Sequence, residues 1–143
     1  QIENLKNSIS KKTVLYSEKE NKNLKDFEVL IIDTIGLLSK IYSYADIAYV
    51  GGAIGNTGLH NTLEPATFGV PILIGNNFKK FPEAKEMEEN GGLFSISNQE
   101  QFNNQLNKLV NDVSFRLKSG QSNFNYIKKN QGAVIQIINF IRK

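Results

Sequence analysis

Short apolar runs alternate along the chain with segments whose apolar residues recur at helical spacing. The apolar runs are rich in Val, Ile, Leu and aromatic residues and predict five strands, at residues 11–16, 27–32, 46–50, 70–74 and 93–96. The helical spacing predicts helices at residues 2–9, 37–44, 63–68, 82–89, 97–110 and 122–143. The run at 27–32 is almost continuously apolar, which predicts a strand buried on both faces.

Local residues support several helix boundaries. Ser97 begins a stretch that resembles a capping box, and Pro82 suits the first position of its helix. The predicted terminal helix over 122–143 has four apolar residues at helical spacing: Val134, Ile137, Ile138 and Ile141. Strand and helix alternate throughout, which predicts an α/β fold with a Rossmann-like parallel sheet and helices on both faces.

The strand count indicates that the domain is truncated. A doubly wound sheet has about six strands, whereas five are predicted, with nothing ahead of residue 11. The chain also begins without a methionine, inside a predicted helix. We therefore interpret residues 1–143 as a single domain that lacks its first strand or two.

Composition excludes several classes of function. The net charge is +3, but the lysines are scattered and only two arginines occur, so no basic stripe for nucleic acid is expected. The absence of cysteine and the single histidine argue against thiolate and histidine metal sites, and we predict no metal and no cofactor. No apolar run approaches the roughly 20 residues of a membrane span, so we expect this chain to be soluble.

The most informative stretch, residues 50–71, lies between the third and fourth predicted strands. It reads VGGAIGNTGLHNTLEPATFGVP and contains five glycines, the sole histidine and a Glu-Pro pair. Glycine allows a positive φ and a close backbone approach to a ligand, and a following helix start favours negative charge. The pattern therefore predicts an anion-binding connection, although it matches neither the dinucleotide fingerprint nor a phosphate loop.

Polar residues after the glycines suggest how a ligand would be held. Asn61 or Thr62 caps the predicted helix, which places Glu64 in its first turn. The Glu64 carboxylate either accepts hydrogen bonds from sugar hydroxyls or complements the helix dipole, and the residues alone leave both open. For His60, we favour contact with a ligand over general-base catalysis.

Two further groups are weaker candidates. Asp33 ends the second predicted strand, where capping the next helix is favoured over lining a cleft. Lys79 and Lys80 follow the fourth strand, where a solvated pair is favoured over contact with an anion.

Four strings in fixed order give a more specific indication. They are DTIG at 33–36, YADIAYVGG at 44–52, GLHNTLEPA at 58–66 and FGVPILIGNN at 68–77. Together they resemble the 3-deoxy-D-manno-octulosonic acid (Kdo) transferases of lipopolysaccharide synthesis. The resemblance implies the C-terminal, donor-binding half of a GT-B glycosyltransferase. It also implies inverting, metal-independent transfer from CMP-Kdo to a lipid A precursor, at the cytoplasmic face of the inner membrane.

The resemblance also implies roles for individual residues. Glu64 would hold the ribose of CMP, and His60, Asn61 and Thr62 would contact its phosphate. Asp33, Gly36, Lys79 and Lys80 are possible donor contacts. The catalytic base and the acceptor surface belong to the family's N-terminal domain, so no catalytic residue is assigned to this chain. The residues that would admit the donor's phosphate or sugar are Gly51, Gly52, Gly55, Asn56 and Gly58.

Two positions depart from the family pattern, and two other functions stay open. Leu37 follows Gly36 where many members have glutamate, and Ala53 stands where others have a serine-containing loop. We therefore assign no acidic contact at 37 and no side-chain role at 53. The alternatives are the donor domain of a GT-B enzyme that uses a UDP-sugar, and a non-catalytic α/β binding module.

Overall fold

A computed structural model describes residues 2–132, 137–138 and 140–141 of the chain. The chain divides into two compact units, Gln1–Lys40 and Ile41–Lys143, while the assignment of residues 1–143 to one domain stays a prediction. The helices are α1 (Ile2–Ser8), α2 (Leu38–Tyr42), α3 (Leu63–Thr67), α4 (Pro82–Glu89), α5 (Gln99–Asn111) and α6 (Val113–Lys129). The strands are β1 (Thr13–Leu15), β2 (Val29–Ile31), β3 (Ala48–Tyr49), β4 (Ile72–Gly75) and β5 (Leu93–Ile96). No helix in these described ranges is long and apolar enough to cross a membrane.

The first unit contains a small parallel sheet of β1 and β2, in which Thr13 lies opposite Val29. Two 3₁₀ turns, Tyr16–Glu18 and Leu24–Asp26, occupy the charged stretch between the strands. The predicted burial of both faces of the second strand is wrong, because Leu30 is 42% exposed. The physical reason is limited cover, since α1 contributes no buried residue to the unit.

The second unit is built on a parallel sheet in the order β3-β4-β5. Side chains of the central strand β4 alternate between two hydrophobic clusters, as the pleat requires. Ile72 and Ile74 pack in one cluster with α3 and α4, and Leu73 packs in the other with Leu109 of α5. Helices thus cover both faces of this sheet, and the predicted α/β fold with parallel strands is confirmed.

Helix α5 begins one residue later than the predicted capping box. Asn98, not Ser97, is the N-cap, and its Oδ1 accepts a hydrogen bond from Gln101 N at 2.9 Å. The Gln101 side chain in turn accepts from Ser97 N at 2.8 Å. The two reciprocal bonds of a capping arrangement are present, but they are spread over residues 97 and 98.

The terminal helix differs from the prediction at both ends. Helix α6 begins at Val113, directly after Asp112, whose carboxylate accepts from Phe115 N at 2.8 Å. The helix ends at Lys129 and is followed by a turn that contains Gly132 at φ +100°. An unbroken helix over 122–143 is therefore wrong, and Val134 lies outside the described residues.

Helix α6 passes from one face of the sheet to the other. Its Phe115 packs against the cluster around Leu73, whereas Tyr126 and Ile127 pack against the opposite cluster. Between these contacts lies Asn123, which is fully buried. Its Nδ2 donates to the carbonyls of Val70 and Gly92, each at 2.8 Å. Those residues lie just before β4 and β5, so α6 is fixed to the N-terminal ends of both strands.

We predict that Asn123→Ala destabilises the chain by about 2–4 kcal/mol, because two buried hydrogen bonds, to the carbonyls of Val70 and Gly92, are lost. The matched control is Asn125→Ala, which changes an exposed amide on the same helix. Urea denaturation followed by circular dichroism measures both free energies of unfolding. Equal losses in the two variants would show that Asn123 does not fix the helix to the strands.

Candidate functional site

Residues 51–60, here called the glycine loop, leave β3 and pair with themselves before α3 begins. Gly52 and Leu59 form an antiparallel bridge. Ala53 N donates to the Gly58 carbonyl at 3.2 Å, and His60 N donates to the Gly51 carbonyl at 3.3 Å. The connection is therefore a narrow loop that folds back on itself, so its backbone geometry is set by its own hydrogen bonds.

Two contacts anchor the glycine loop to the end of β4. Asn77 N donates to the Ala53 carbonyl at 2.8 Å, and Asn77 Nδ2 donates to the Gly55 carbonyl at 2.6 Å. Ala53 is fully buried and has a left-handed backbone, with φ +55°. Such a conformation costs a residue with a side chain about 1–2 kcal/mol, which the bonds on either side of it offset. Residue 53 thus shapes the loop through its backbone.

The polar residues at the start of α3 are brought together by Asn61. Its Oδ1 accepts from Leu63 N at 2.9 Å, and its Nδ2 donates to Glu64 Oε1 at 3.1 Å. Asn61 is therefore the side chain that caps this helix, while Thr62 is 2% exposed and makes no side-chain capping bond. A contact between the Thr62 hydroxyl and a ligand stays a prediction.

The Glu64 carboxylate is half-buried, and its charge acts on a neighbouring phenol. Burial raises the pKa of Tyr42 above its ordinary value, and the Glu64 carboxylate raises it further. Helix α3 is only five residues long, so its dipole is small. Complementing that dipole is therefore a weak reason for an acidic residue at this position.

The cationic and imidazole side chains are accessible. His60 is exposed, and its Cδ2 lies 3.7 Å from the point where a side chain on Gly51 would begin. Lys79 and Lys80 are exposed in the loop after β4 and form no hydrogen bond or ion pair with any residue that the structure describes. Gly51 and His60 thus lie side by side on one face of the loop.

Asp33 and Gly36 belong to the first unit. Asp33 does not cap α2, which begins at Leu38, so the predicted cap is wrong. Instead, Ser17 N donates to Asp33 Oδ1 at 2.9 Å, and the Ser17 hydroxyl donates to Oδ2. The hydroxyl bond lowers the pKa of the Asp33 carboxyl below its ordinary value. Gly36 has φ +88°, as a sharp turn after the strand requires.

An apolar cleft of about 470 Å³ opens beside the tip of the glycine loop. Its walls include the ring of Phe102, which meets the ring of Tyr49 edge-on with centroids 5.7 Å apart. None of its lining residues was among the predicted site residues, because they come from four separate segments of the chain. They are Tyr49, Ile54, Ile96, Ser97, Asn98, Gln99 and Phe102.

Known proteins with similar sequences are glycosyltransferases. The chain is 30% identical over 128 residues to a 3-deoxy-D-manno-octulosonic acid transferase from Haemophilus influenzae, covering 88% of this chain and 29% of that protein. It is 31% identical over 106 residues to the enzyme of the same name from Aquifex aeolicus, covering 71% of this chain and 30% of that protein. A bifunctional glycosyltransferase/methyltransferase from Fusobacterium nucleatum is 34% identical over 113 residues, covering 78% of this chain and 18% of that protein. The chain therefore spans less than a third of each relative.

A solved structure supports the fold. The chain matches the C-terminal CMP-Kdo binding domain of WaaA from Acinetobacter baumannii with a TM-score of 0.76 and 17% identity, covering 88% of this chain and 66% of that one. No family model matches the chain. The resemblance to Kdo transferases that the motifs indicated is confirmed by the sequence comparisons, and the fold is confirmed by the structural one.

We predict that Gly52→Ala disrupts the glycine loop, whereas Gly55→Ala is tolerated. Gly52 has φ +84°, and a methyl group there would lie 2.0 Å from the Gly58 carbonyl oxygen, so the backbone must move. Gly55 has φ +63° with open space around it. Alanine there should therefore lower the free energy of unfolding only by the cost of a left-handed backbone, about 1–2 kcal/mol. Urea denaturation compares the two variants. Equal destabilisation would contradict the observed pairing of Gly52 with the far side of the loop.

Proposed function

We propose that this chain, which resembles the Kdo transferases over most of its length, is the donor-binding domain of such an enzyme. The full-length protein would transfer Kdo from CMP-Kdo to a lipid A precursor, with inversion, at the cytoplasmic face of the inner membrane. The observation that carries the proposal is the hydrogen bond that Asn61, the residue directly after the glycine loop, donates to the Glu64 carboxylate at 3.1 Å. The loop leaves the C-terminal end of β3. Open α/β sheets bind their ligands at this edge.

The ribose of CMP would be recognised by Glu64. A carboxylate accepts hydrogen bonds from two neighbouring hydroxyl groups, and bonds to a charged acceptor are stronger than neutral ones. The short helix weakens the alternative explanation, which is that Glu64 complements the helix dipole. Half-burial of Glu64 also limits competition from water.

The phosphate would lie against the glycine loop. Gly51 has no side chain to block the approach, and the exposed His60 ring beside it donates a hydrogen bond to a phosphate oxygen. The loop backbone is held by its own bonds and by Asn77, so its shape is set before the ligand arrives. Preorganisation of this kind lowers the entropic cost of binding.

Charge also favours this donor. CMP-Kdo carries a phosphate and a sugar carboxylate, and the chain has a net charge of +3. Lys79 and Lys80 are exposed on the loop after β4, the same strand end to which the glycine loop is anchored. Such lysines attract a dianion over several ångströms without a fixed contact.

In the proposed reaction, an acceptor hydroxyl oxygen forms a bond to the anomeric carbon of Kdo while the bond to the CMP phosphate breaks. The hydroxyl proton passes to a base in another part of the full-length protein, and CMP leaves as the phosphate monoester. The chain's own residues would bind the donor and stabilise the charge that develops on the departing phosphate. Among the side chains of this chain, we assign that task to His60.

We expect the chain to bind CMP with low affinity and to transfer no Kdo by itself, because the acceptor side of the cleft is assigned to another domain. Calorimetric titration with CMP tests the first expectation, with UDP as competitor. Tighter binding of UDP would favour a UDP-sugar enzyme, and no thermal shift with either nucleotide would favour a non-catalytic binding module. Transfer by the chain alone would contradict the division of roles.

We predict that Glu64→Ala weakens CMP binding by about 1–3 kcal/mol, the range for losing hydrogen bonds to a charged group. Glu89→Ala, which removes an exposed carboxylate from the end of α4, is the matched control and should bind CMP normally. Isothermal titration calorimetry measures both affinities, and circular dichroism checks folding. A folded Glu64→Ala variant with unchanged CMP affinity would show that Glu64 does not contact the ribose.

A further inference from the structure

Both kinds of polar atom in the Asn61 side chain are engaged within the protein. Oδ1 accepts from Leu63 N at 2.9 Å, and Nδ2 donates to Glu64 Oε1 at 3.1 Å. The first bond fixes the amide plane relative to the backbone at the start of α3. The second bond then fixes the direction from which the Glu64 carboxylate is approached.

This coupling matters because a glutamate side chain has several rotatable bonds and loses conformational entropy when it is held in one conformation. The bond from Asn61 restricts the Glu64 side chain before any ligand binds. Asn61 can do this because its own amide is fixed by a hydrogen bond from the Leu63 backbone. Asn61 itself is exposed, so its bonds are made at the surface of the site and not in the core.

We propose that Asn61 is a positioning residue that orients the Glu64 carboxylate toward the ribose hydroxyls, and that it thereby sets the preference for ribonucleotide over 2′-deoxyribonucleotide donors. The proposal rests on the function proposed above. It differs from the direct phosphate contact that the family resemblance implies for Asn61. A phosphate contact would affect both kinds of nucleotide equally, whereas orientation of Glu64 affects only the one that has the 2′-hydroxyl.

Asn61→Asp separates these roles. Aspartate keeps an oxygen that accepts from Leu63 N, so the cap is retained. It replaces the amide donor by an oxygen, which removes the bond to Glu64 and places a second carboxylate beside it. Asn104→Asp makes the same charge change on an exposed residue of α5 and is the matched control.

The experiment measures the dissociation constants of CMP and 2′-deoxy-CMP by titration calorimetry. The unaltered chain and the control should prefer CMP by about tenfold, the value of one hydrogen bond to a charged acceptor. In Asn61→Asp the ratio of the 2′-deoxy-CMP and CMP dissociation constants should fall to near one. The new negative charge repels both nucleotides alike, so it changes both constants but not their ratio. A preference that stays near tenfold in this variant overturns the inference while leaving the proposed function intact.

A double variant checks that Asn61 acts through Glu64. In the Glu64→Ala background, adding Asn61→Asp should leave the ratio of the two dissociation constants unchanged, because no carboxylate remains to be oriented. A further change in that ratio would show a separate contact between residue 61 and the sugar and would overturn the inference. If the unaltered chain binds neither nucleotide, the proposed function fails first and this inference with it.

Discussion

The whole site depends on a backbone that turns back on itself within residues 51–60. Gly52 faces the Gly58 carbonyl so closely that a methyl group would lie 2.0 Å from its oxygen, and this pairing brings residue 60 back beside residue 51. Without that closure, His60 would not lie over Gly51. The helix that presents Asn61 and Glu64 would also begin in another place. A steric requirement at one glycine thus decides where three proposed donor-binding side chains lie: His60, Asn61 and Glu64.

In the second unit, α6 is bonded to one end of the sheet and the glycine loop to the other. Asn123 of α6 is bonded to the carbonyls just ahead of β4 and β5, so the helix closes the N-terminal ends of those strands. The C-terminal ends are left for the glycine loop, which Asn77 anchors beyond β4.

Local patterns in the sequence predicted the local features. All five predicted strands contain the observed ones or overlap them, and the helix after the glycines begins where its capping residues indicated. The predictions failed where contacts join distant parts of the chain. Asp33 was expected to cap the next helix but is bonded to Ser17, which lies 16 residues away. The start of α6 was missed for another reason, because its local cap, Asp112, was not recognised. Neither the role of Asn77 nor that of Asn123 leaves a local signal, because their partners lie 22 to 53 residues away.

The site was predicted in two steps of different kinds. Residue chemistry alone indicated an anionic ligand with hydroxyl groups, whereas the family resemblance supplied the nucleotide and the sugar. The structure adds how the polar groups are connected, above all that Asn61 links the helix start to Glu64. That link could not be predicted from the spacing of residues 61 and 64, since it depends on the rotamers of both side chains.

The most direct test of the central claim is an NMR titration of the ¹⁵N-labelled chain with CMP. If the donor binds at the glycine loop and the start of α3, the amide signals that shift should be those of residues 51–64, with smaller shifts near Lys79 and Lys80. Shifts confined to another part of the chain, or none at saturating CMP, would contradict the account.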